Sequence, residues 1–358
     1  MKSVMIFAGG TGGHVFPALA VAEALRATQV GVIWVGTERG LEARVVPAAG
    51  FPLEWIRIRG LRRGSMGDRV LLPVRLMLAL VRTLRIFRRY KPDVALALGG
   101  FVSGPGGIAA WLTHTPLVIH EQNAYAGLTN RWLALIADRV LTGFPGAFKN
   151  VPGAIHIGNP VRADILRLPA PQERLRDHAP PLRLLVIGGS QGATALNETV
   201  PAALALMPGA ERPVVRHQSG ARHADATRAD YRRHGVEGEI VPFFDDMAAA
   251  YAWADVVICR AGAMTISEIC AVGVAAVLVP YPHAADDHQT ANARFLAERG
   301  AALYVPQDEF TAARVAEILT GFVHSPEVAQ NMATGSRACA IPDATERIMQ
   351  ACLEVMHA

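Results

Sequence analysis

The feature that most constrains this chain is a strand running straight into a glycine-rich turn, present twice. Val4 to Ala8 lead into Gly9-Gly10-Thr11-Gly12-Gly13-His14, and Leu182 to Ile187 lead into Gly188-Gly189-Ser190-Gln191-Gly192-Ala193. A helix-like stretch follows each loop. A buried strand feeding a glycine turn and then a helix leaves backbone N–H groups pointing outward, where an anion can dock. Two such units half a chain apart predict two α/β domains facing one phosphate-bearing ligand across a cleft.

The 358 residues suffice for two domains with separate cores. Hydrophobic residues make up 51% and aromatic ones only 6%, which is the usage of an α/β protein and not of a disordered chain. The apolar run after Lys2 stops at Gly9, too short for a secretory signal. No run approaches the roughly 18–20 residues that cross a bilayer; Ile269 to Tyr281 comes nearest, and Pro280 interrupts it. Cys259, Cys270, Cys339 and Cys352 form neither a C-x-x-C pair nor a zinc spacing, so buried, reduced thiols are expected.

Net charge is +4, but residues 57–91 hold eleven Lys or Arg against one acid, Asp68, leaving that stretch at +10 and the remainder at −6. Such a basic district points to an anionic partner. From Arg75 to Arg89 the pattern is an amphipathic helix. Arg75, Arg82, Arg85 and Arg89 share one side, and Leu76, Met77, Leu80, Val81, Leu84 and Phe87 take the other. Two readings stand together. The helix is either an ordinary surface helix with its stripe in the core, or an element lying on a lipid surface. Leu71 and Leu72 just before it, with Arg57, Arg59, Arg62 and Arg63 upstream, favour the second. Nucleic acid is disfavoured as partner, because no aromatic residues interleave with the arginines.

Strands are predicted at 3–8, 30–36, 93–98, 117–120, 138–142 and 154–157, then at 182–187, 213–218, 238–242, 255–259, 275–279 and 301–305. Helical periodicity between most of them argues a parallel, doubly wound sheet in each half, an α/β protein of two Rossmann-like domains. Pro160 to Pro181 reads as the linker, placing the domains at 1–160 and 161–342. A final helical segment, about 343–358, suits either domain.

The first loop is no P-loop, since no Gly-Lys-Ser/Thr follows, and Val15 replaces the third glycine of a dinucleotide fingerprint. His14 stands where the helix begins. Its neutral imidazole suits the removal of a proton from an attacking hydroxyl, though a structural role is equally open. A third glycine cluster, Gly99-Gly100-Phe101-Val102-Ser103-Gly104, precedes a strand that ends in His120-Glu121-Gln122-Asn123. Polar residues at a strand's carboxyl end face the crevice where open α/β sheets bind ligands, or cap the next helix. In the second half, Gly262 and Thr265 suit a helix start that favours a diphosphate. Glu268, a turn in, suits the two hydroxyls of a ribose or its own helix dipole. A polar cluster at Asp286-Asp287-His288-Gln289 suits sugar hydroxyls. No D-x-D triplet is present. The departure of a nucleoside diphosphate is therefore expected to rely on helix N-termini, loop amides and Arg162; no metal or other cofactor is expected.

Taken in order, GGTGGHVFPALA (9–20), GGFVSGPGG (99–107), HEQNAYAGLTN (120–130), GNPVR (158–162), GGSQGA (188–193), FFDDMAAAYAWADVVICRAGAMTISE (243–268) and DHQTANA (287–293) closely resemble one family across nearly the whole chain. It is the bacterial undecaprenyldiphospho-muramoylpentapeptide β-N-acetylglucosaminyltransferases, which make lipid II from lipid I. The resemblance implies a glycosyltransferase B fold with UDP-N-acetylglucosamine bound mainly by the second half. The first half would take lipid I and the membrane, and the C-terminal helix would cross back to it. It also implies that Phe244 contacts the uracil, that Ala263, Met264, Thr265, Ile266 and Ser267 line the nucleotide and diphosphate, and that Glu268 holds the ribose. Ser190 and Arg162 would sit near phosphate, and Gln289 and Asn123 would read the sugar. Thr11, Gly12 and Gly13 would close the N-terminal side. His14 is the matched candidate for general base and Glu121 the second. Phe101 stands where members of the family can carry Tyr. The enzyme is then expected to be peripheral to the cytoplasmic face of the inner membrane, held to anionic phospholipid through residues 57–91.

A nucleotide-sugar binder without transfer activity and a dinucleotide oxidoreductase using Glu38 for its ribose are the rival readings. The degenerate fingerprint and the second nucleotide-type half disfavour the oxidoreductase.

Overall fold

The computed structural model describes residues 2–58, 72–148, 151–176, 178–189, 192–284 and 287–357. Arg59, Arg62, Arg63, Asp68 and Leu71 of the basic stretch lie outside the described residues, as do Ser190, Gln191 and Asp286. The chain divides into two compact units, Met1–Arg162 with Ile341–Ala358, and Ala163–Ala340.

The first unit is built on a parallel seven-stranded sheet in the order β3-β2-β1-β4-β5-β6-β7. Its strands are β1 (Ser3–Phe7), β2 (Gly31–Gly36), β3 (Leu53–Trp55), β4 (Val94–Ala97), β5 (Leu117–Glu121), β6 (Arg139–Thr142) and β7 (Ile155–His156). Because helices cover both faces, the central strands read as unbroken apolar runs. Val4, Met5, Ile6 and Phe7 are all fully buried. Alternate residues serve opposite cores. Val4, Ile6, Trp34 and Leu96 pack with the helix Gly12–Ala27, while Met5, Phe7, Val35 and Ala95 pack with Ile86, Phe87 and Ala109. The helix Ala344–Val355 completes the first of these cores with Ile348, Ala351, Cys352 and Val355.

The second unit carries a parallel six-stranded sheet, β10-β9-β8-β11-β12-β13. Its strands are β8 (Arg183–Ile187), β9 (Val214–Gln218), β10 (Glu239–Val241), β11 (Val256–Cys259), β12 (Ala275–Leu278) and β13 (Leu303–Tyr304). Each predicted strand is present within about two residues. Leu53–Trp55 was not anticipated: it spans three half-buried residues behind Pro52, too short to show an alternation.

In both sheets the order reverses beside the first strand, between β1 and β4 and between β8 and β11. Open α/β sheets bind ligands outside the carboxyl ends of the strands at this switch point. The glycine loops at Gly9 and Gly99 leave β1 and β4, and those at Gly188 and Gly262 follow β8 and β11. The fold thus brings the sequence's glycine clusters together in pairs.

Candidate functional site

In the first unit the two glycine loops touch. Gly100 has φ +80°, and a side chain there would strike the Gly9 carbonyl. Gly99, at φ +96°, lies under the imidazole of His14; a Cβ would come within 2.7 Å of Cδ2 and 2.9 Å of Nε2. Only glycine combines this backbone conformation with so close an approach. Ser103 locks the turn, accepting from Gly99 N–H at 3.0 Å and donating to the Gly99 carbonyl at 2.8 Å. His14 is half-buried in the first turn of Gly12–Ala27, its Nδ1 3.5 Å from the Thr11 hydroxyl. Thr11 and Gly13 are exposed and Gly12 half-exposed. No side chain caps this helix start.

Beneath the loop lies an acid that the sequence reading passed over. Glu42 is fully buried and accepts from Gly10 N–H at 2.9 Å, Thr37 N–H at 2.9 Å and the Thr37 hydroxyl at 2.7 Å. Room for it depends on missing side chains, since a Cβ at Gly9 or Gly36 would sit 2.5 or 2.6 Å from its atoms. The visible signal was an acid placed shortly after a strand and flanked by Gly36 and Gly40.

The HEQN cluster does not present four groups to an open crevice. His120, Glu121 and Gln122 are buried and turned inward, and Asn123 is half-buried. His120 Nε2–H donates to the Gly158 carbonyl at 2.9 Å, which leaves Nδ1 to accept from Gln122 Nε2 at 3.2 Å. Burial pushes this histidine down to about 4, so it is neutral at physiological pH. Both Glu121 oxygens are saturated. Oε1 accepts from the Asn123 backbone (3.0 Å) and side chain (3.1 Å), and Oε2 from Gly127 N–H (3.1 Å) and Asn130 Nδ2 (2.8 Å). Such a carboxylate shapes the loop and orients Asn123. Gln122 Oε1, buried beside Gly99, is a polar atom with no hydrogen-bond partner. Arg162 is half-buried at the end of this unit's continuous stretch.

On the second face of this sheet the helices Leu72–Tyr90, Ser103–Leu112 and Leu128–Leu133 lie side by side. The apolar stripe of the first divides. Phe87 is in the core, stacked on Phe7 at 6.0 Å, and Leu80 and Leu84 are half-buried. Val74, Met77 and Leu78 are exposed by 56–64%, with Trp111 at 58% and Trp132 at 66% nearby in the chain fold. The arginines line a hollow of about 1260 Å³ that reaches Gly9 and Gly10, with Arg57, Arg75, Arg82, Arg85 and Arg89 in its wall.

In the second unit, β11 ends in a turn that opens the helix Ala263–Val272 at Gly262, with no side-chain cap. Its first-turn N–H groups and dipole make an anion seat. Met264, Thr265, Ser267 and Glu268 are half-exposed. Ile266 is in the core, and its N–H is spent on the Gly262 carbonyl at 2.9 Å. Ser267 Oγ turns back to the Ala263 carbonyl at 2.9 Å. Phe244 is half-buried, and its N–H is held at 3.0 Å by Oε1 of the buried Gln218. Glu268 Oε2 accepts from the hydroxyl of Tyr251 at 3.1 Å. Gln289 Oε1 accepts from Tyr281 N–H at 2.9 Å, and the buried Asn292 donates to the Ala261 carbonyl at 3.1 Å, pinning the helix His288–Ala297 to the turn. Arg260 secures the same edge through the Val279 and Pro280 carbonyls, both at 3.1 Å. Gln218, Tyr251 and Arg260 were not singled out from sequence; only their partners in space reveal them.

Among the described residues no three His, Cys, Asp or Glu side chains gather as a metal site would. Among the same residues no helix is long and apolar enough to cross a membrane.

Residues 4–142 match the glycosyltransferase family 28 N-terminal domain, and residues 183–348 its C-terminal domain. The chain is 54% identical, over 98% of both chains, to a protein of Alkalilimnicola ehrlichii named UDP-N-acetylglucosamine--N-acetylmuramyl-(pentapeptide) pyrophosphoryl-undecaprenol N-acetylglucosamine transferase. A protein of the same name from Ralstonia nicotianae is 51% identical over 100% of this chain and 97% of that one. The crystal structure of Acinetobacter baumannii MurG superposes with a TM-score of 0.84 at 38% identity, covering 99% of this chain and 100% of the other. With both halves of the fold matched and relatives this close over their full length, the chain belongs to glycosyltransferase family 28, within its UDP-N-acetylglucosamine--N-acetylmuramyl-(pentapeptide) pyrophosphoryl-undecaprenol N-acetylglucosamine transferases.

Proposed function

We propose that this chain moves N-acetylglucosamine from UDP-N-acetylglucosamine to the C4 hydroxyl of lipid I, undecaprenyl-diphospho-N-acetylmuramoyl-pentapeptide, and so forms lipid II for peptidoglycan. The observation that carries the reading is the uncapped helix start at Gly262, with Glu268 a turn further on, in a chain so similar to named transferases of this reaction. The C4 oxygen attacks the anomeric carbon as its bond to the β-phosphate oxygen breaks, inverting that centre to a β1,4 link. UDP leaves with the bonding electrons, and the hydroxyl proton passes to His14. Proton removal of this kind is typically worth 10²–10⁴-fold.

The second unit holds the donor. Phe244 meets the uracil, Glu268 the ribose, and the turn and helix Ala263–Ser267 the diphosphate. Arg162 and Ser190 add charge and a hydroxyl near the phosphates, and Gln289 and Asn123 read the sugar. From the first unit Thr11, Gly12 and Gly13 contribute the glycine loop that bears His14. Glu121 is a positioning residue there, because four donors already occupy its oxygens. No divalent ion is required, since amides, a helix dipole and arginine supply the stabilising charge.

The chain docks on the cytoplasmic leaflet of the inner membrane through the first unit's second face, a reading supported by that face's exposed apolar residues. Exposed Val74, Met77, Leu78, Trp111 and Trp132 supply the apolar contact, and the arginines of the neighbouring hollow meet anionic headgroups. Charge plus a modest apolar area are the two signals stable peripheral binding needs.

Turnover of a short-chain lipid I analogue with UDP-N-acetylglucosamine tests the reading. Product is expected with and without EDTA, and His14→Ala is expected to lose about 10²–10⁴-fold in kcat while still binding UDP. Absence of product, or its loss on adding chelator, overturns it.

A further inference from the structure

The short helix Met247–Trp253 carries a side chain that no step above uses. Tyr251 is entirely buried, 0% exposed, and its hydroxyl donates to Glu268 Oε2 at 3.1 Å. A buried phenol takes a partner where it can. Here the partner is a half-exposed carboxylate on the next helix, Ala263–Val272, at the end of the sheet where ligands bind. A glutamate has three side-chain torsions, and ordering it is costly in conformational entropy. A fixed donor at one oxygen removes most of that cost before a ligand arrives.

We propose that Tyr251 is a positioning residue for recognition of the nucleotide's ribose. By donating to Oε2 it fixes the orientation of the Glu268 carboxylate that meets the vicinal hydroxyls. This rests on the reading of Glu268 given above. The same element orders the base side. Asp246 caps the helix by accepting from Ala249 N–H at 2.8 Å, and Phe244, two residues earlier, is tied to Gln218 at 3.0 Å. One seven-residue helix therefore fixes the loop that meets the base at its start and the carboxylate that meets the sugar near its end. A carboxylate held in this way distinguishes a ribonucleotide from its 2′-deoxy counterpart more sharply than a mobile one, because it cannot swing into water to replace the hydrogen bond that a missing hydroxyl takes away.

The test is Tyr251→Phe, which keeps the ring and removes the donor, with UDP and 2′-deoxy-UDP affinities measured by calorimetry alongside steady-state kinetics. UDP affinity is expected to fall about fivefold to twentyfold, and the preference for UDP over 2′-deoxy-UDP to shrink by a similar factor. KM for UDP-N-acetylglucosamine should rise to match, with kcat within about twofold. Glu268→Ala separates this idea from the one beneath it. If Glu268→Ala leaves UDP affinity unchanged, the ribose assignment fails. If Glu268→Ala weakens UDP while Tyr251→Phe alters neither affinity nor preference, the positioning role fails. Equal weakening of both nucleotides by Tyr251→Phe also overturns it, as that marks a packing defect. In the Glu268→Ala background the effect of Tyr251→Phe should vanish. Should Tyr251→Phe not fold, a fluorinated tyrosine placed at 251 alone keeps the shape and makes the phenol more acidic. A more acidic phenol is the stronger donor to Glu268 Oε2, so the preference for UDP over 2′-deoxy-UDP must then rise, and an unchanged preference overturns the proposal.

Discussion

Glu42 Oε2 accepts the Gly10 N–H at 2.9 Å, so a buried acid from 32 residues downstream ties down the first glycine loop. The loop's shape is therefore set from below, and one of its amides is already committed. Glu42→Ala removes the acceptor of Gly10 N–H and of both Thr37 donors, and leaves a cavity. It is expected to cost about 2–4 kcal/mol in urea unfolding, with Glu42→Gln in between. An unchanged midpoint would contradict this account of the loop.

Glu121 and His14 separate in their pH dependence. Glu121→Gln sets an amide against one of the four donors that now surround the carboxylate, so it should lower kcat by disordering Asn123 and the loop. The acid limb of the pH–kcat profile should survive in Glu121→Gln and disappear in the residual activity of His14→Ala. Loss of that limb in Glu121→Gln instead would make the glutamate the proton acceptor.

Acid should destabilise the fold through two buried histidines. Burial pushes His120 down to about 4 and His217 to about 3. His217 is held neutral between the Tyr231 hydroxyl and Asn197 Oδ1, both at 3.0 Å. These folded values lie below the roughly 6.5 of an unfolded histidine, so the unfolded chain binds protons that the native one does not. No penalty applies above about pH 6.5, and below it stability falls towards the folded values, at up to about 1.4 kcal/mol per pH unit for each histidine. Urea midpoints at pH 7.5, 6.5 and 5.5 should show the decline. His217→Gln should be less stable at pH 7.5 but fall less steeply; parallel curves would rule out His217 as a source.

The proposed membrane docking divides into two contributions that salt can tell apart. Met77→Ser with Leu78→Ser and Trp111→Ser removes apolar contact at exposed positions, and should weaken liposome binding at least tenfold at any ionic strength. Neutralising Arg82, Arg85 and Arg89 should weaken binding to anionic vesicles mainly at low salt. If both variants bind like the natural chain and turn over the lipid acceptor unchanged, this face is not the docking surface.

The glycine loops were legible because a fully buried parallel strand shows as an unbroken apolar run, and the turn that ends it shows as paired glycines. Glu268 was legible as a candidate from its distance past Gly262 along one helix. The supports were not. Glu42 reaches Gly10, and Tyr251 reaches Glu268, through tertiary contacts that leave no local periodicity in sequence. HEQN misled for a related reason. Polar residues at a strand end signal a site, but here His120 bonds the Gly158 carbonyl, Glu121 bonds donors of Asn123, Gly127 and Asn130, and of the four only Asn123 is half-exposed. The stripe on Leu72–Tyr90 could not be divided from sequence, since how far a helix is covered depends on its neighbours.

The helix Ala344–Val355 lies in the core of the unit that Ser3 begins, and Lys2 Nζ meets the His357 ring across the two ends of the chain. Ser3 is synthesised long before Ala344. The core that Ile348, Ala351, Cys352 and Val355 join is therefore completed only after the whole of Ala163–Ala340 has been synthesised. Removing the helix Ala344–Val355 would strip four buried side chains from the unit made first.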